Sequence, residues 1–210
     1  MFDLGLSSDQ LEDEGRGFSF QEDRPLNMSF SSDDSTREIV NKYSEKDLAT
    51  LIKEYGEEKF AKRIAEKIVQ ARKEELITTT GQLKAIIEIA VPPKYYKRIH
   101  PATKTFQALR IASNKELRNI EESLPRVAGL LKSGGRLAVV SYHSLEDRIV
   151  KNYFRRESKD CLCPPQNWVC DCGHSAQLKT VNKKIITPSA SEVEHNPKAR
   201  SAKLRVAEKI

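Results

Sequence analysis

Apolar residues recur at helical spacing through the middle of the chain. Leu48, Leu51, Ile52 and Tyr55 fall at i, i+3, i+4 and i+7, behind a capping-box-like Ser44/Asp47 start and ahead of a stop at Gly56. Phe60, Ile64, Ile68 and Val69 repeat the pattern, and so do Leu83, Ile86, Ile87 and Ala90 between Thr80 and Pro92-Pro93. Three amphipathic helices with short links predict a small bundle over residues 38–93. A basic loop, 94–105, then leads into one helix through Phe106, Leu109, Leu117, Ile120 and Leu124. Beyond it the period changes. Ser133-Gly134-Gly135 turns the chain into the apolar run Arg136–Ser141, the clearest strand, and His143-Ser144 opens a helix carrying Ile149, Val150, Tyr153 and Phe154. Shorter strands are expected at 184–187 and 204–207, around a helix at 191–203. Helix, Gly-Gly turn, apolar strand, polar strand end and helix together are the punctuation of an α/β fold.

The N-terminus reads as the end of a buried strand, with Phe2, Leu4 and Leu6 broken by Gly5 and Ser7-Ser8. A buried strand that starts at the first methionine predicts a chain cut into, with upstream sequence missing. Residues 9–37 form a polar loop whose Phe18, Phe20, Leu26, Met28 and Phe30 imply that it is tied down. The expected organisation is a first core segment at 1–37, an inserted helical domain at 38–93 and a second core segment at 94–210.

Charge sharpens this picture. The 210 residues carry 36 basic and 30 acidic side chains, a net +6, unevenly spread. Residues 1–47 hold 12 acids against 5 bases, whereas 89–115 hold six bases and no acid, and the stretch from His174 holds eight bases and three acids. A basic half suggests a polyanionic partner, RNA or DNA, against the alternative of a merely solvated lysine surface. No apolar run approaches the roughly 18 residues of a membrane span, and no secretory signal opens the chain. A cytoplasmic protein without a membrane partner is expected.

Four cysteines lie within twelve residues: Cys161, Cys163, Cys170 and Cys172, followed by Gly173-His174. Two C-x-C pairs in a turn-rich loop suit a structural tetrahedral Zn²⁺, with His174 able to replace one sulfur. Reduced thiols and redox chemistry are the alternatives. Nucleotide-binding and hydrolase motifs of the G-x-x-x-x-G-K-[ST], G-x-G-x-x-G, G-x-S-x-G and H-E-x-x-H types do not occur. What remains is two polar strand ends, Asp3 with Ser7, Ser8 and Gln10, and Ser141 through Arg148. In open α/β sheets ligands bind outside the carboxyl ends of the strands. Glu146 and Asp147 also suit the first turn of a helix, and His143 also suits a hydrogen-bonded structural role.

Several segments together, F-D-L-G-L-S-S-D-Q-L, R-G-F-S-F, P-L-N-M, Y-G-E-E-K-F-A-K-R-I-A, H-P-A-T-K-T-F-Q-A-L-R-I-A, G-G-R-L-A-V-V-S-Y-H-S-L-E-D-R-I-V and N-P-K-A-R-S-A-K-L-R, closely resemble the ribosomal small-subunit methyltransferase H family. The resemblance spans nearly the whole chain. It implies a class I (Rossmann-like) methyltransferase sheet with an inserted α-helical domain. It also implies transfer of a methyl group from S-adenosylmethionine to the N4 amine of a cytosine in the decoding region of 16S rRNA. The family's D-L-G-x-S-S-x-Q segment assigns Asp3 and Gln10 to the cofactor. Its glycine-rich cofactor loop and ribose-binding acid lie upstream of this segment, so the chain resembles the C-terminal two-thirds of the enzyme, a truncated form expected to bind cofactor weakly or not at all.

A cytosine N4 amine is a poor nucleophile, because its lone pair is delocalised into the ring. It must be held in line with the methyl donor while its NH₂ group finds acceptors. Asp3-Leu4-Gly5-Leu6 occupies the strand end where other amino-methyltransferases carry [DN]-P-P-[FYW], without the prolines or the aromatic residue. The acceptor is left among the Leu4 carbonyl, Ser141 and His143. Lys97, Arg98, Arg110, Lys198, Arg200, Lys203 and Arg205 are the expected contacts to 16S rRNA or the small ribosomal subunit. A non-enzymatic RNA-binding remnant is the alternative function, and neither a monomer nor a homodimer is favoured.

Overall fold

Helices form where the apolar period predicted them, and side chains at their ends explain their limits. The computed structural model describes residues 1–6, 17–30, 35–95, 100–167 and 169–210. By its contacts the chain divides into two compact units, Leu6–Glu116 and Met1–Gly5 with Leu117–Ile210.

The unit Leu6–Glu116 holds helices α1 (Ser35–Lys42), α2 (Glu45–Gly56), α3 (Ala61–Glu74), α4 (Thr80–Ala90) and α5 (Ala102–Asn114). Ser44 Oγ accepts from the Asp47 N–H at the start of α2, and Thr79 with Gln82 forms a full capping box on α4. The apolar faces meet in a core that includes Leu48, Ile52, Ile64, Ile68, Leu83, Ile87 and Leu109, all fully buried. Residues 17–30 are pinned to the same core. Leu26 N–H donates to Thr78 O and Thr80 N–H to Arg24 O, while Phe18, Leu26 and Met28 are buried. Gly17 is required there, since a Cβ would sit 2.1 Å from Pro25 O.

Several expectations are corrected. The helical unit extends beyond 38–93, because Ala102, Phe106, Ala108 and Leu109 of α5 complete its core. Its first helix, α1, has too short an apolar stripe to stand out. The single helix expected through 106–124 is two, since Lys115 adopts the left-handed conformation at φ 52° and ends α5 before α6 (Glu116–Leu130) begins. Glu57, at φ 49°, rather than Gly56 terminates α2. Gly56 has a different reason: a Cβ there would lie 2.5 Å from Lys104 O, so it lets α5 approach α2.

The second unit is mixed α/β. Strand β1 (Phe2–Asp3) runs parallel to β2 (Arg136–Ser141), β4 (Lys203–Lys209) runs antiparallel on the other side of β2, and β3 (Leu178–Thr180) pairs antiparallel with β4. Along β2 the alternation buries Leu137, Val139 and Ser141. These strands share a core with Ile120, Leu124 and Ala128 of α6 and with Val150 and Phe154 of α7 (Ser144–Glu157). β1 is half-buried at Phe2 and exposed at Asp3. The strand expected at 184–187 reduces to one bridge, Ile186 to Leu204, and the third antiparallel strand is Leu178–Thr180. The helix expected at 191–203 is α8 (Ala190–His195) followed by a 3₁₀ segment, Pro197–Ser201, because Pro197 has no N–H to continue the α ladder. No helix among the described residues is long and apolar enough to cross a membrane.

Candidate functional site

β1 and β2 are parallel neighbours, so their carboxyl ends emerge together. Asp3 is paired in register with Val140, and Leu4 N–H donates to Val140 O at 3.0 Å. Just past the end of β2 the strand period turns Tyr142 away from the buried face of Ser141. Its hydroxyl donates to Asp3 Oδ1 at 3.0 Å. Burial, and next the hydrogen bond to Asp3 with its charge, push the Tyr142 hydroxyl above its ordinary value, so it stays a protonated donor. Gly5, at φ 90°, lies under the Tyr142 ring, and a Cβ there would approach Tyr142 Cδ2 to 3.2 Å. An L side chain is strained at this φ, so glycine is the residue that lets the ring lie over the turn.

Behind this pair stands the start of α7. His143 is the N-cap, its Nδ1 accepting from Glu146 N–H, and the Glu146 carboxylate reaches back to the N–H groups of Tyr142 (2.8 Å) and His143 (3.3 Å). Glu146 is 1% exposed. Burial works to raise its pKa, but His143, 3.2 Å away at Nε2, and the two backbone donors outweigh this and hold the carboxyl below its ordinary value. The result is a rigid strand-to-helix turn that fixes the Tyr142 backbone.

Tyr142 lies within the expected polar strand end, Ser141 through Arg148, but no role was assigned to it from the sequence. The alternation of β2 could have found it, since buried positions 137, 139 and 141 put 142 on the opposite face. Asp3 lies where expected, exposed at a strand end, while Gln10 lies outside the described residues. Ser141 is 2% exposed, with its Oγ donating to Lys203 O across the sheet at 3.5 Å. His143 serves as the helix cap described above, with Nδ1 engaged by the backbone.

The expected RNA contacts separate by environment. Arg205 grips Asp147 through Nε (2.7 Å) and Nη2 (3.0 Å), and both side chains are largely buried. Arg110 is likewise committed, to both carboxylate oxygens of Glu116 at 2.8 and 2.9 Å. A planar guanidinium held bidentate in this way is withdrawn from phosphate. Lys198 and Arg200 are exposed and Lys203 is half-buried, whereas Lys97 and Arg98 lie outside the described residues.

The four cysteines converge in the segment between α7 and β3, with all their sulfurs within 4.8 Å of one another. His174 does not join them, because its Nε2 sits 3.3 Å from Arg156 O.

A family model described as the MraW methylase family matches residues 1–210. The protein from Dehalococcoides mccartyi (strain ATCC BAA-2266 / KCTC 15142 / 195) named "Ribosomal RNA small subunit methyltransferase H" is 52% identical over 212 residues, 100% of this chain and 60% of the relative. Proteins of the same name from Geobacter sp. (strain M21) and Thermomicrobium roseum are 52% and 50% identical, and the chain covers 68% and 65% of them. This chain thus spans about three-fifths of the length of the Dehalococcoides relative that it matches throughout.

Proposed function

Because the chain belongs to the MraW methylase family, we propose that it is part of an S-adenosylmethionine-dependent methyltransferase that modifies the N4 amine of a cytosine in 16S rRNA. In this reading the mixed sheet is part of a class I methyltransferase core and the helical unit is its insertion. The observation that carries the reading is the Asp3–Tyr142 pair at the carboxyl ends of two adjacent parallel strands, the position where open α/β sheets bind ligands. An exposed carboxylate, a phenol donor and a turn glycine without a Cβ are groups suited to a polar cofactor. Asp3 would hold it, with Gln10 as the second contact. S-adenosylmethionine, when bound, supplies the electrophilic methyl group.

The chain's own residues do the positioning. Tyr142, protonated and donating to Asp3, orients the carboxylate. The capped turn at His143 and Glu146 keeps Tyr142 in place. Of the three candidate acceptors for a hydrogen bond from the cytosine NH₂, we assign the Leu4 carbonyl, which follows Asp3 at the end of β1, whereas Ser141 is buried and His143 Nδ1 accepts from Glu146 N–H. An amine that donates to a carbonyl gains electron density as its nitrogen pyramidalises. The target base reaches such a site only unstacked from its neighbours.

Equilibrium dialysis of radiolabelled S-adenosylmethionine tests the assignment. We expect only weak binding, which Asp3→Ala abolishes and Tyr142→Phe reduces, with methyl incorporation into unmethylated 16S RNA falling in the same order. Binding unchanged in Asp3→Ala would overturn the role of Asp3. RNA binding without any cofactor binding would favour a non-enzymatic RNA-binding protein.

A further inference from the structure

We propose that Cys161, Cys163, Cys170 and Cys172 form a closed tetrathiolate site for one Zn²⁺, a site independent of the methyl-transfer reading. Four sulfurs around zinc, each about 2.3 Å from the metal, lie about 3.8 Å from one another along the edges of a tetrahedron. Here Cys161–Cys170, Cys170–Cys172, Cys161–Cys172 and Cys163–Cys170 are separated by 3.4, 3.6, 3.8 and 3.9 Å. Four of the six sulfur pairs thus stand near the edge length of the coordination polyhedron, and all four sulfurs lie within 4.8 Å of one another. None is at the bonded distance of a disulfide, about 2.05 Å, and all four cysteines are free.

The surrounding segment supplies a second, separate argument. Between Phe154 of α7 and Leu178 of β3, no described residue is buried, and Leu162 and Val169 are 41% and 78% exposed. Apolar burial therefore does not gather this segment. Long connections without secondary structure or core contacts are uncommon in compact units unless something else holds them. What lies at the centre of this one is sulfur. Backbone donors are in place around it, with Leu162 N–H on Cys172 Sγ at 3.4 Å and Cys163 N–H on Cys161 Sγ at 3.3 Å. Such N–H donors stabilise thiolate over thiol, as the outer shell of a metal site does.

Two neighbours decide the ligand set. His174 faces the end of α7 and stays out of it. Asp171 Oδ1 lies 3.0 Å from Cys163 Sγ, a contact that needs a protonated thiol. Once Cys163 is a thiolate, this exposed carboxylate turns to solvent. Binding forms four Zn–S bonds and releases the remaining thiol protons to the buffer. Thiolate sulfur in a tetrahedron selects zinc or iron over the harder cations. With all four positions filled by protein, the ion holds the loop and performs no chemistry on a substrate.

The test is metal analysis of the full chain purified without chelator, with X-ray absorption at the zinc edge. We expect one zinc per chain in an all-sulfur shell at about 2.3 Å. Cys170→Ser, at the sulfur nearest the other three, should lose most of the metal, while Asp171→Asn should keep all of it. Should Cys170→Ser not fold, titrating the native protein with a mercurial decides the matter, because zinc release should track modification of four thiols. Metal-free protein with four freely titratable thiols, paired disulfides, iron in place of zinc, or zinc lost from Asp171→Asn would each overturn the proposal.

Discussion

Glu146 is a carboxylate almost wholly withdrawn from water, and it accepts from two backbone N–H groups of the turn in front of it. Truncating it takes the acceptor from both. Glu146→Ala should therefore cost about 1–3 kcal/mol of stability, and Glu146→Gln less, because the amide oxygen still accepts. The carboxyl is held below its ordinary value in the fold. Its stabilisation is thus complete above the ordinary carboxylate value and is lost as pH falls through the lower folded value. Denaturant titrations of the wild type and Glu146→Gln at neutral and at acid pH should show a difference in stability that shrinks on acidification. A difference that grew would mean that the carboxylate is strained in its place.

At the scale of elements, the approach of α2 and α5 depends on a missing methyl group. Gly56 has ordinary helical geometry, so alanine would favour the helix itself by about 1 kcal/mol. The added Cβ would, however, lie 2.5 Å from Lys104 O, a backbone atom that cannot rotate away. Separating the helices disturbs Leu48, Ile52, Phe106 and Leu109 together. Overpacking of this kind costs about 1–3 kcal/mol and outweighs the propensity gain. Gly56→Ala should lower the thermal midpoint, although propensity alone says the reverse. A raised midpoint would show that α5 moves aside at little cost.

Over the whole molecule, the excess of basic residues divides into structural and available charge. Arg110 and Arg205 belong to the first kind. Arg205→Ala would strand Asp147 in a largely buried position and should cost about 3 kcal/mol, the low end for breaking such a pair. Arg200 and Lys203, with Lys97 and Arg98, are the residues to test as phosphate partners. Their combined replacement by alanine should weaken binding to all RNAs alike. It should also flatten the logarithmic salt dependence by roughly 0.7–0.9 for each phosphate that is no longer neutralised. Filter binding over a salt series reads both quantities. An unchanged slope in that variant would reduce the basic surface to solvation.

Local order alone determined much of this protein. The period of Leu48, Leu51, Ile52 and Tyr55 requires a helix wherever that face finds a core. The apolar run of 136–141 after Gly134-Gly135 requires a strand, and Ser44 marks a start through a bond that spans three residues. These are short-range effects, written within one turn or one pleat. Helix ends at Glu57 and Lys115 were hidden, because neither residue type announces a left-handed backbone. Tertiary structure decided the rest. Only pairing β1 with β2 brings Asp3 to Tyr142, 139 positions away, and only the packing of α7 on the sheet sets Arg205 against Asp147. Charge composition counts side chains but does not say which are already neutralised. That depends on residues distant in the chain meeting in a medium from which water has been removed.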